Sequence, residues 1–250
     1  MKKTLSIIAI ISISFISNGQ SMLDKLKKKK DSLDKKVNSI ISPTAQPALT
    51  NEEVVRGLKE ALSIGTNSSS TMASKLDGYY KNPRIFIPWP QEAADMKTKL
   101  TSLGMQKKIT EFETSLNRAA EEAAKGAATI FIDAITNMSV SDGFAILKGN
   151  DTAATHFLRE NTYSPLKTKF KPVVKDAIAK VKVTSYWNPL VTKYNKIPGV
   201  KKQNPDLEEY VTIKAINGLM LLISDEEAKI RKDPAARVTD LLKKVFGTKP

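Results

Sequence analysis

Carboxylates are the residues of this sequence best able to do chemistry, because the alternatives are nearly missing. There is no cysteine, which excludes disulfide frameworks, thiolate metal sites, iron–sulfur clusters and thiol nucleophiles. A single histidine, His156, is present, so His-rich metal sites and two-histidine mechanisms are excluded too. His156 follows Asp151 by a little over one turn and reads as a polar helix histidine, with catalysis as the alternative. The sequence has no phosphate loop, dinucleotide fingerprint or HExxH helix, and no G-x-S-x-G elbow. No catalytic, cofactor-binding or metal-ligating residue is assigned, and no cofactor is expected.

Asp133 is the unusual carboxylate, since Ile130, Phe131, Ile132, Ala134 and Ile135 surround it. A carboxylate on an apolar helix must pair, accept hydrogen bonds or stay protonated. One reading places it against Arg118 or Arg159 in a partly buried cluster with Glu121 and Glu122; the other makes position 133 the one exposed point of its helix. Arg118 and Glu122, at i and i+4, are expected to form a surface ion pair. An acid/base enzyme built on Asp133, Glu121 or Glu122 would need a water-filled cleft and a raised carboxylate pKa.

A second candidate is the stretch from Tyr79 to Pro90. Pro83, Pro88 and Pro90 force it to be extended and irregular. Ile85, Phe86, Ile87 and Trp89 then form either a binding loop, a lid over an apolar pocket, or a strap covering the open end of a core. Trp187, beside Tyr186 and Pro189, is expected in the core.

The elements that must hold these residues all read as helices. A capping box at Thr50–Glu53 opens one with Val54, Val55, Leu58, Ala61 and Leu62 as its buried stripe and Gly65 as its stop. Thr66 to Ser70 is a loop or a capped second helix, and Asp77-Gly78 a turn. Helices follow over 92–103 and 106–125, and from about 127 to 137. A short one starts at Ser139, another runs from Asp151 or Thr152 to about Glu160, and a longer one starts near Pro165. Pro189 and Pro198 punctuate the next stretch. Pro205 fits the first turn of a long helix whose middle is apolar around most of its circumference, which makes it central. Asp233-Pro234 starts the last helix, ending near Phe246. No alternating strand pair is found, so the expected fold is an all-α multi-helix globular domain over residues 48–250.

Two segments precede it. Lys2 and Lys3, the apolar run Leu5 to Ile16, and Ser17 and Gly19 have the form of a secretory signal peptide, expected to be cut after Gly19; the apolar run is shorter than the roughly 20 residues of a membrane span. Residues 20–47 carry Leu23, Leu26, Leu33, Val37 and Ile40 at helical spacing with seven lysines against three aspartates, followed by a linker at Ser42, Pro43 and Pro47. This Lys-rich amphipathic helix could lie on an anionic membrane, zip onto a partner, or serve as a solvated tether.

The 250 residues carry 40 basic against 26 acidic side chains, a formal net charge of +14. Such a protein attracts anionic partners. In the periplasm, the expected location (or outside the cell as a secreted protein), these are envelope components rather than nucleic acid. Aromatics are only 6%, with none of the basic–aromatic interleaving of single-strand binders.

Several blocks also resemble a known family. They are Gly57 to Leu62; Asn82-Pro83 with Ile85, Ile87 and Pro88; Asn117 to Ala124; Phe170 to Val174; and Ile230 through Asp233-Pro234-Ala235-Ala236-Arg237 to Gly247. Together they resemble the DUF4197 family of exported bacterial proteins of unknown function, over about residues 48–247. The resemblance implies a helical domain behind a signal peptide and transfers no activity. The expected function is therefore a non-enzymatic exported helical protein that binds an envelope component or a protein partner. A carrier of an apolar or lipid-like ligand is the alternative, and a carboxylate-based enzyme the third.

Overall fold

A computed structural model describes residues 27–29 and 49–247. Residues 1–26 and 30–48, which hold the expected signal peptide and most of the Lys-rich segment, lie outside the described residues; 27–29 are helical and exposed. The second unit, residues 49–247 as described, is all-α, with no strand among the described residues. Its helices are α1 (Asn51–Ala73), α2 (Ala94–Ser102), α3 (Gln106–Ala124), α4 (Ala127–Asn137), α5 (Gly143–Leu147), α6 (Ala153–Lys180), α7 (Val183–Asn195), α8 (Leu207–Lys232) and α9 (Asp240–Gly247).

The core forms around α8. From Ala215 to Ile223 it is buried on almost every side, and it packs on α1, α6 and α3. The capping box forms as the sequence predicts: Glu53 N donates to Thr50 Oγ1 at 3.2 Å and Thr50 N to Glu53 Oε2 at 3.1 Å. Gly65, however, does not end α1. A Cβ there would stand 3.3 Å from Glu226 Cβ of α8, so this glycine serves close helix packing. The helix runs on to Ala73 and buries Thr66, Ser69 and Ser70, which the sequence suggested as a loop or a separate helix.

Three further boundaries move. Instead of a break near Glu160, α6 continues through Pro165 and Pro172. Both prolines are exposed, and their seven-residue spacing puts the i−4 carbonyls that lose a donor, Asn161 and Thr168, on the solvent side, where water satisfies them. Pro205 precedes α8 rather than entering it; Asp206 caps the helix by accepting from Glu209 N at 2.9 Å. The Asp233-Pro234 pair starts a 3₁₀ turn, Pro234–Ala236, and α9 begins only at Asp240.

One buried charge pair joins three of these elements. Glu227 of α8, 1% exposed, accepts from Ala154 N at 2.9 Å, from Thr155 N at 2.7 Å and from Thr155 Oγ1 at 2.7 Å, all in the first turn of α6. One turn on, Arg231 donates to Glu227 at 2.8 Å and to the carbonyls of Leu147 and Ile146, at the end of α5, at 2.8 and 3.1 Å. An anion thus meets a helix N-terminus and a cation a C-terminus, matching both dipoles. Glu227→Ala would leave a buried guanidinium and two amides short of partners. It is expected to lower the unfolding free energy by about 3–5 kcal/mol in urea titration, whereas exposed Glu160→Ala should stay within about 0.5 kcal/mol.

Candidate functional site

The proline-rich segment is tied down by one side of α3. Glu113, Asn117 and Glu121 recur every four residues, and each bonds the strap's backbone. Asn117, fully buried, accepts from Ile87 N at 2.8 Å and donates to Ile87 O at 2.8 Å. Glu113 accepts from Trp89 N at 3.2 Å and from Lys97 Nζ at 2.7 Å. Glu121 accepts from Tyr79 N and Tyr80 N, both at 3.1 Å. Its other oxygen accepts from Arg118 at 2.6 Å, and Arg118 in turn reaches Asp77 at 2.6 Å.

From the other side, Tyr79 Oη donates to Ala215 O of α8 at 2.8 Å, and Tyr210 Oη to Pro88 O at 2.9 Å. A Cβ on Gly218 would come within 2.9 Å of the Tyr79 ring, so only glycine admits the strap against α8. Ile85, Ile87 and Trp89 are buried and Phe86 is half-buried. Trp89 packs on Phe112 and Trp187, with ring centres 5.0 and 5.4 Å away. Of the three readings of this stretch, the burial of Ile85, Ile87 and Trp89 fits the strap that covers the core.

The candidate polar cluster separates into distinct contacts. Arg118 meets Glu121 and Asp77 but not Glu122, which instead pairs with Lys125 at 2.7 Å and Lys180 at 2.6 Å. Arg159 bonds Asn217 at 2.8 Å and lies over the Tyr163 ring. Asp133 meets neither arginine. Phe131 and Ile135 take the buried side of α4, leaving Asp133 on the outer side with Lys169 of α6 and, at 2.8 Å, Asn137. This ion pair lines an open groove of about 370 Å³ between α4 and α6, with Ser139, Asn161, Pro165 and Leu166. Lys169 holds the Asp133 carboxyl below the usual range, as Lys125 and Lys180 do for Glu122. Neither is thereby a proton donor near neutral pH. His156 is exposed, 3.5 Å from Glu160. Among the described residues no group of three or more His, Cys, Asp or Glu could hold a metal ion.

A different feature emerges at one end of the domain. Residues 96–110 and 177–205 contain no Asp or Glu but carry ten lysines. From the end of α6 through α7 the chain runs back along α3: Lys180, the last residue of α6, pairs with Glu122, Trp187 of α7 packs 4.7 Å from Phe112, and α7 also packs on α2. Continuing that antiparallel course at equal rise per residue carries the end of α7 to the level of the α2–α3 turn. The loop after α7 folds back onto its last residue, since Gln203 N donates to Asn195 Oδ1 at 3.0 Å and Asn195 Nδ2 to Gln203 O at 3.2 Å. Lys99, Lys107 and Lys108 from the turn therefore lie at the same end of the domain as Lys193, Lys196, Lys201 and Lys202. All seven are exposed, and none is in an ion pair among the described residues.

Sequence reasoning missed Asn117, Glu113 and Asp77. The four-residue spacing of Glu113, Asn117 and Glu121 is the signal that could have found the first two, and the acid-free runs could have marked the basic end. Among the described residues no helix is long and apolar enough to cross a membrane. The family described as "Protein of unknown function (DUF4197)" matches residues 48–247. No curated protein and no solved structure matches the chain.

Asn117→Leu would strand both polar groups of Ile87 in the core. It is expected to lower stability by about 2–4 kcal/mol and to open residues 79–90 to limited proteolysis. Acid should loosen the same region. Asp77 is held below the ordinary aspartate range by Lys81 and Arg118, so its contribution is complete above the unfolded value near 3.9 and is lost as pH falls through the lower folded value. Thermal midpoints measured between about pH 2 and 6 should fall with acid, and less steeply in Asp77→Asn.

Proposed function

We propose, from the premise that the chain belongs to the DUF4197 family of proteins of unknown function, that it is a non-enzymatic exported helical protein that binds an anionic component of the cell envelope. The observation that carries this reading is the basic end: seven exposed lysines on α2, α3, α7 and the loop that follows, none of them in an ion pair among the described residues. Exposed like charges crowded together repel one another and are relieved by an anionic ligand. The engagement of the candidate carboxylates supports the same reading. Glu121 is saturated by the strap and Arg118, while Asp133 and Glu122 are held ionised by lysines. Export rests on Lys2, Lys3 and the apolar run Leu5 to Ile16, and the proposed location is the periplasm.

Protein recovered from the periplasm is expected to begin at Gln20 by N-terminal sequencing. Its retention on an immobilised anionic envelope fraction should fall steeply as salt is raised. Neutralising four lysines of the basic end to glutamine should weaken retention by more than about tenfold. Retention that ignores both salt and those lysines would overturn the reading.

A further inference from the structure

We propose that the basic end docks on an anionic phospholipid bilayer, with Leu103 as its apolar contact. The inference rests on the reading of the basic end as an anion-binding surface and names its partner. Met96, Leu100 and Leu103 lie on one line of α2 and its C-cap, at i, i+4 and i+7. The first two have no exposure at all, yet Leu103 is 51% exposed. Gly104, at φ 75°, then turns the chain away, so α3 starts just beyond and the leucine stands at the outer tip of the turn. Lys99 lies one turn before Leu103, and Lys107 and Lys108 lie in the first turn of α3.

An apolar tip among unpaired ammonium groups suits a bilayer surface: the leucine enters the headgroup boundary and the lysines meet phosphates. A soluble polyanion would use the lysines and leave Leu103 idle. A protein partner covering Leu103 would have no need of seven uncompensated charges. The proposed surface is made only of residues within 49–247.

The test is co-sedimentation of the chain from Gln20, without the proposed signal segment, with vesicles of phosphatidylcholine alone or with one-third phosphatidylglycerol. Every variant keeps the same N-terminal segment, so differences between variants report the basic end alone. Binding is expected only to the anionic vesicles. Lys99, Lys107 and Lys108 changed together to Gln should weaken it by about 100-fold, about fivefold per lysine. Leu103→Ser, at a position already half in solvent, should weaken it several-fold without changing its salt dependence. Circular dichroism checks that both variants fold.

Vesicle binding that neither variant alters would overturn the docking surface. Failure on vesicles with lysine-dependent retention on an anionic polymer would overturn the bilayer as partner and leave the broader reading standing. So would saturable, lysine-dependent binding to an acidic protein. Failure on all three would overturn both.

Discussion

A peptide group buried without a partner costs far more than most side-chain contacts return, and this constraint organises the domain. A strap with three prolines cannot join a helix, yet its apolar side chains are needed to close the core between α3 and α8. Its amides and carbonyls must therefore find partners that helices do not ordinarily offer. Asn117 supplies a donor and an acceptor to Ile87 together, and the glutamates on either side of it take the amides of Trp89, Tyr79 and Tyr80. One side of α3 thus stands in for the edge of a sheet. The aromatic group of Trp89, Phe112 and Trp187, and with it the seat of α7, follows from that attachment.

The same logic places the charges. Glu121 and Glu227 are buried because backbone amides and an arginine surround each of them. Carboxylates are spent on helix starts, on the strap and on neighbouring lysines, while the excess of cations is pushed to the periphery. A chain with this much surplus positive charge must expose it somewhere. Here two acid-free stretches, distant in sequence, put a large part of it at one end. The electrostatic character of the surface follows from which carboxylates the interior has consumed.

Much of the fold was legible because it depends on local signals. The capping box, the apolar circumference of α8 and the absence of alternation led to an all-α domain, and the blocks near the C-terminus pointed to the family. The misread boundaries share one physical cause, since each breaker residue was judged without its neighbours. Gly65 reads as a stop until α8 lies against it, and Thr66 to Ser70 read as a loop or a separate helix until the packed domain buries three of them. Pro165 reads as a start, although on an exposed side it costs a helix little more than one carbonyl's partner. The candidate site was less legible. Asp133 was judged by its sequence neighbours, whereas its partner lies 36 residues away on α6. Asn117 gave no alarm because asparagine is ordinarily a surface residue; its value lies in bonding both ways to one distant peptide.

The bond from Tyr79 to Ala215 spans 136 positions, against 30 for Asn117 to Ile87. Chain-closure entropy grows only with the logarithm of the loop, so the longer closure costs about 1.3 kcal/mol more than the shorter one. At equilibrium the distance in sequence hardly matters. In time it matters more: the carbonyl of Ala215 is in place only once α8 has been synthesised and seated, and the strap cannot be fastened on that side before then. A segment early in the domain is thus completed by a helix late in it, a bond that ties the two halves of the chain together.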